Sequence, residues 1–207
     1  LPIHLPIDLF TSKVDLKVSM MTSSLFFENK LLLAMPSMTD PRFERSVIYV
    51  CSHESSGAMG LVINRPSENM TFKGLLDQLT IETEAEVADV SVHAGGPVEP
   101  GRGFVLHSAD YVQDSTMIVS QTLALTATVD VLKALAAGNG PANHLLALGY
   151  AGWGQGQLEQ EIQSNSWMIT EADDEVIFHT ELEQKWPRAM AMLGVDVAML
   201  SLEAGHS

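Results

Sequence analysis

The sequence predicts an α+β domain with a mainly antiparallel or mixed sheet. Three observations carry this expectation. Short runs of β-branched and aromatic residues recur between turns rich in Gly, Pro, Ser and Asp; segments with helical spacing are few; and neighbouring strand pairs outnumber strict βαβ units. A chain of 207 residues suits one domain, and at this size roughly 70% of the unfolded surface is buried without staples.

Taken in order, Leu1–Met20 has early prolines and no helical period, and reads as a non-native or disordered extension ahead of a start at Met20 or Met21. Residues 21–207 are then expected to form a single domain. Phe26–Met35 reads as a strand stopped by Pro36. Val47–Cys51 and Gly60–Asn64 flank a polar turn at His53–Gly57 and read as an antiparallel hairpin, ended by Pro66. Phe72, Leu75, Leu76 and Leu79 share one face of a short helix despite Gly74.

Glu82, Glu84, Glu86 and Asp89 form an acidic connector with nothing to fix ligand geometry, so a solvated loop is favoured over a metal site. Strands follow at Ser91–Val98, which runs into a Gly-Gly-Pro turn, at Gly103–His107, and at Ser115–Gln121 and Leu123–Thr126. Thr128 is an N-cap and Asp130 a first-turn acid for a helix that Gly138 ends. Leu145–Leu148 predicts a buried strand that enters a glycine-rich turn at Gly149–Gly156, from which a helix leaves through Gln157–Glu161. Ser166–Thr170 is a last strand, and a last helix runs to Leu193 with Gly194 as its stop. Pro187 requires that helix to start near Trp186 or to bend there.

Composition excludes some function classes. Twenty-six acidic against eleven basic residues give a formal charge of −15, which opposes direct nucleic-acid binding and anionic membranes. DNA contact would require Arg42, Arg45, Arg65, Lys73 and Arg102 to cluster. No apolar run reaches membrane-helix length and no basic-then-apolar leader opens the chain. The single Cys51 rules out an internal disulfide and a Cys-rich zinc site, which fits a cytoplasmic protein.

Gly152-Trp153-Gly154-Gln155-Gly156 lacks the G-x-G-x-x-G spacing, no P-loop Lys follows, and Glu159 and Glu161 would repel a phosphate from the amides of the helix start. The seven histidines are dispersed without metal-ligand spacing, so neither a metal nor a cofactor is expected. No G-x-S-x-G elbow marks a nucleophile. Cys51 and His53, two apart in a strand, would share a face, and an exposed pair would suit thiol redox or nucleophilic chemistry.

From Phe26 onward the chain resembles the YqgE/AlgH family of bacterial proteins. The resemblance is carried by Leu33-Ala34-Met35-Pro36 with Asp40-Pro41-Arg42-Phe43, by Ser46–Cys51, by Gly57–Pro66, and by Gly95-Gly96-Pro97-Val98. Arg102–His107, Gly149–Trp153, Gly156–Glu161 and Ala204-Gly205-His206 continue it in order. The resemblance implies a curved, barrel-like sheet flanked by a few short helices and an activity that is undefined, although some members carry the label of transcriptional regulator. Residues 1–20 and Pro187 depart from the family pattern.

Two functional expectations follow. The first is a non-enzymatic binding or regulatory protein that meets a protein partner through Asn64, Arg65, Gly95, Gly96, Gly152, Trp153, Gln157 and Glu159. The second is a thiol-dependent redox sensor or enzyme using Cys51 with His53. They are separated by exposure, of the surface in one case and of the thiol in the other.

Overall fold

A computed structural model describes residues 26–83 and 89–195. The expected N-terminal extension, the middle of the acidic connector and the Ala204-Gly205-His206 ending lie outside the described residues. Among the described residues nine strands form one curled, half-barrel sheet: β1 Lys30–Ala34, β2 Val47–Glu54, β3 Gly57–Val62, β4 Val92–Ala94, β5 Val98–Ser108, β6 Met117–Ile118, β7 Leu123–Thr126, β8 His144–Gly154 and β9 Trp167–Glu171. The order along the sheet is β6-β7-β5-β8-β3-β2-β1-β9, and every pairing is antiparallel except that of β4 with β8. Among the described residues four short helices accompany it: α1 Phe72–Gln78, α2 Val129–Ala136, α3 Gln157–Gln163 and α4 Leu182–Met192. A π-helical turn, Glu175–His179, precedes α4.

The strands are apolar on both faces because both faces are covered. Leu31 and Leu33 point to one side with Tyr49, Phe104, Leu106 and Leu145, and α4 closes this concave core with Trp186, Ala189 and Met190. Leu32 and Ile48 point to the other side, where Leu158 of α3 and Trp167 cover them. Val105 and Leu146 meet α1 and α2 on that outer face.

The sequence expectation for Gly149–Gly156 is corrected here. No turn follows Leu148; β8 runs straight through Gly149, Ala151 and Trp153 to Gly154, and the chain reverses only at Gln155-Gly156. The glycines serve a chain crossing instead. β4 and β5 both pair with Leu146 and Leu148 or their neighbours in β8, so they occupy opposite edges of it, and the chain between them must pass over β8. It does so at Gly95-Gly96, where a Cβ on Gly96 would lie 2.1 Å from the Tyr150 carbonyl carbon and one on Gly95 2.3 Å from the Gly149 oxygen. Gly149 answers with φ of +73°.

Of the two expectations at Pro187, the start near Trp186 is overturned. Helix α4 starts at Leu182 and passes through Pro187, whose absent N–H frees the exposed Glu183 carbonyl to solvent. Burial of Trp186, Ala189 and Met190 against the sheet holds the helix, and the Trp186 indole donates to the Ala34 carbonyl at 2.9 Å. Thr128 precedes α2 as expected, but its side chain makes no cap hydrogen bond.

Candidate functional site

Helix α3 brings an acidic first turn onto the outer face, beside the ends of β2 and β8. There Glu161 gathers three donors: Oε2 accepts from the indoles of Trp153 at 2.9 Å and Trp167 at 2.8 Å, and Oε1 from Gln157 at 2.9 Å. The two tryptophans meet edge to face at 6.1 Å. Trp153 is buried, and Gln157 also accepts from the Gly154 amide, so this stretch closes upon itself. Glu159 is half-exposed, and its Oε1 stands 3.1 Å from His53 Nε2. Phe27 N–H donates to His53 Nδ1, so Nε2 carries the hydrogen donated to Glu159.

The pairing of Cys51 with His53 is overturned. Between Val50 and Ser52 the register of β2 on β3 shifts by a residue, a bulge at Cys51 that reverses the alternation of faces. Cys51 therefore points into the concave core, whereas His53 lies opposite Ala58 on the outer face. Cys51 is 0% exposed, and burial pushes its thiol well above the ordinary range. It has neither the access nor the thiolate that redox or nucleophilic chemistry needs.

The expected binding residues fall into separate places. Asn64 and Arg65, beyond the far end of β3, hold the loop before β2: Asn64 accepts from the Val47 amide at 2.8 Å and donates to the Arg45 carbonyl, while Arg65 donates to the Glu44 carbonyl at 2.8 Å. With Arg45 and Trp186 they line a cavity of about 430 Å³. Gly95, buried, and Gly96, partly exposed, belong to the crossing over β8. Gly152 and Trp153 line a different groove at the opposite end of β3, together with Arg102. The arginines thus divide between two cavities, Arg45 and Arg65 in one and Arg102 in the other.

That groove, of about 600 Å³, is the candidate site. Here the concave core reaches the surface: Phe104 lies edge-on to Tyr150 at 5.8 Å, and Met59 and Tyr150 remain partly exposed. Arg102 stacks over Phe104 at 5.1 Å and pairs with Glu99, and Glu54 stands at the rim. Beyond Tyr150 the edge of β8 opposite β3 has no strand partner among the described residues, since β5 begins only at Val98, which pairs with Tyr150. Besides Tyr150, the ionisable side chains lining the groove are Glu54 and Arg102, with the hydroxyls of Ser52 and Ser56 beside them. The groove combines an apolar floor with an open backbone edge, the features by which a pocket takes up an extended segment.

Sequence reasoning missed Met59, Phe104, Tyr150 and Arg102 because they come from three strands whose adjacency is a matter of register. It missed Glu161 as the hub of the tryptophans for the same reason. Among the described residues, no three His, Cys, Asp or Glu side chains are placed to hold a metal ion, and no helix is long and apolar enough to cross a membrane.

The AlgH-like family model matches residues 31–198. A UPF0301 protein of Cereibacter sphaeroides is 53% identical over 178 residues, covering 86% of this chain and 97% of the relative. One of Rhodospirillum rubrum is 51% identical over 176 residues, covering 85% and 92%. The solution structure of the AlgH protein from Pseudomonas aeruginosa superposes with a TM-score of 0.73 at 41% identity, over 88% of this chain and 96% of that one. A Corynebacterium diphtheriae protein shares the fold at a TM-score of 0.64 and 21% identity, over 79% and 85%. With its half-barrel, its glycine crossing and this breadth of matching, the chain belongs to the YqgE/AlgH family of bacterial proteins.

Proposed function

We propose that the chain is a non-enzymatic binding protein of regulatory type that receives an extended segment of a protein partner in the groove beside β8. One observation carries the reading: the edge of β8 beyond Tyr150, unpaired among the described residues, borders a partly exposed floor of Met59 and Tyr150 laid over the buried Phe104. A strand added there would gain backbone hydrogen bonds from the edge and side-chain burial from the floor. The charge of −15 favours a partner with a basic segment over nucleic acid, so the regulator label is read as action through a protein in the cytoplasm.

Gly152 provides the test, because it sits in the groove at an ordinary strand φ and an added side chain asks only a small shift of the Tyr150 ring. Wild-type and Gly152→Val chains are used as paired baits in affinity capture at physiological salt. The expected result is a recurrent partner held by the wild type and lost by the variant. A partner retained by Gly152→Val would move the site elsewhere, and the absence of any partner would overturn the binding reading.

A further inference from the structure

At the other end of β8 from the groove, a second cavity of about 310 Å³ opens between β4, the start of β8, the π-helical turn and the start of α4. We propose that this cavity is a carbonyl-binding site, in which the Lys185 amine condenses with a small neutral aldehyde or ketone to form a Schiff base.

Lys185 is 2% exposed, yet it lines this cavity rather than a packed core. Among the described residues its Nζ has one hydrogen-bond acceptor, the Ile177 carbonyl of the π-helical turn, and no salt bridge. Capping that turn occupies one N–H; an ammonium presents three. A buried charge without a counter-ion is unfavourable, and the neutral amine is the form such surroundings prefer. Burial accordingly pulls its pKa down to about 8, with the Glu181 carboxylate opposing the fall. At pH 7 about a tenth of the side chain is then neutral amine, against fewer than about one in a thousand for an ordinary lysine.

The remaining ionisable groups that line the cavity suit the step. His93 is buried on β4, and its Nδ1–H donates to the Leu146 carbonyl at 3.0 Å, which leaves Nε2 as the basic nitrogen. Burial first, and the Lys185 charge after it, hold the His93 pKa down. His144 is anchored in the same manner, Nδ1 to the Pro141 carbonyl at 3.2 Å. His179 lies on the π-helical turn, and the carboxylates of Asp89 and Glu181 stand at the exposed rim, where they disfavour an anionic ligand.

In the step itself, the amine lone pair forms the C–N bond while the carbonyl π electrons move to oxygen. His93 Nε2 takes the first proton that nitrogen sheds and delivers it to the alkoxide oxygen, giving the carbinolamine; it then takes the second N–H proton and delivers it to that hydroxyl, which leaves as water as the nitrogen lone pair forms the C=N bond of the neutral imine. No electrons are exchanged with any other species, and hydrolysis reverses the step.

The test uses the whole chain with propanal and cyanoborohydride, followed by peptide mapping. Lys185 is expected to be alkylated at least tenfold faster than Lys30, Lys73 and Lys133 at pH 7, with a rate that rises with pH and levels above about 8. Labelling of Lys185 at or below the rate of those lysines overturns the proposal, as does a rate that keeps rising with pH as theirs does. Either outcome leaves the groove beside β8 untouched.

Discussion

Helices α3 and α4 both lay a polar residue against an apolar sheet, and they do so in opposite ways. On the outer face, Glu161 of α3 accepts from three donors that α3, β8 and β9 deliver to it. On the concave face, Lys185 of α4 reaches one carbonyl and borders a cavity. The first arrangement satisfies its donors and locks three elements together. The second leaves hydrogen-bonding capacity uncommitted at a site where burial is nearly complete. Fully paired polar groups mark architecture, whereas underpaired buried ones mark places where chemistry is available.

The largest effect is expected from breaking the saturated side. Glu161→Leu leaves two buried indole N–H groups without an acceptor and removes charge-assisted bonds, so a loss of about 3–5 kcal/mol is expected in denaturant unfolding. Glu161→Gln keeps an acceptor oxygen and should lose about half as much. If Glu161→Leu unfolded at the wild-type midpoint, the tryptophan hub would not be the element that holds α3 to the sheet.

The unsaturated side should respond with the opposite sign. Unfolded Lys185 holds its proton up to about pH 10.5 and the folded residue only up to about 8, so in that window unfolding takes up a proton and stability rises with pH. Below pH 8 the folded state carries the unfavourable buried charge. Lys185→Met should therefore stabilise the protein at pH 7 by up to about 3 kcal/mol, and the rise between pH 8 and 10.5 should flatten. A destabilised Lys185→Met with an unchanged pH profile would place the residue with Glu161, as architecture.

How much of this contrast was legible in the sequence depends on the range of the interaction that creates it. Runs such as Leu31–Ala34 and Val47–Cys51 announce strands because both faces are apolar, and β1, β2, β3 and the antiparallel hairpin follow from them. Helix α1 was readable from Phe72, Leu75 and Leu76. The bulge at Cys51 was not, since a bulge exists only relative to a partner strand, and it moved His53 to the other face. Gly149 and Gly152 suggest a turn because glycine is rare in strands; only the crossing of Gly95-Gly96 over β8 explains why the strand needs glycine at Gly149. The sequence Glu183–Arg188 reads as a polar helix with a proline, and nothing in it tells that Lys185 rather than Gln184 faces inward.

A smaller effect separates the two acids of α3. Glu159 accepts from His53 through Oε1, while its Oε2 is buried without a partner. Glu159→Ala loses one hydrogen bond and relieves one unpaired oxygen, so the net change should be near 1 kcal/mol, well below that of Glu161→Leu. Equal losses from the two substitutions, measured by thermal unfolding, would show that α3 is held by its charge rather than by the indole pair.

The smallest change in stability is expected at Gly152, where the functional consequence is greatest. A Cβ there would meet the Tyr150 ring at 3.2 and 3.8 Å and Val98 Cγ2 at 3.8 Å, and φ lies outside the left-handed region. The ring is partly exposed and has room to give by a few tenths of an ångström. Gly152→Val should stay within about 0.5 kcal/mol of wild type by thermal unfolding, while its side chain narrows the groove along the open edge of β8. Gly96, one crossing away, has no such freedom: its Cβ would enter the backbone of Tyr150 itself. Glycines of one sequence signature thus divide into those the chain path demands and one it does not, and a glycine the fold can spare, in a groove with an unpaired strand edge, is what a binding site for an incoming strand requires.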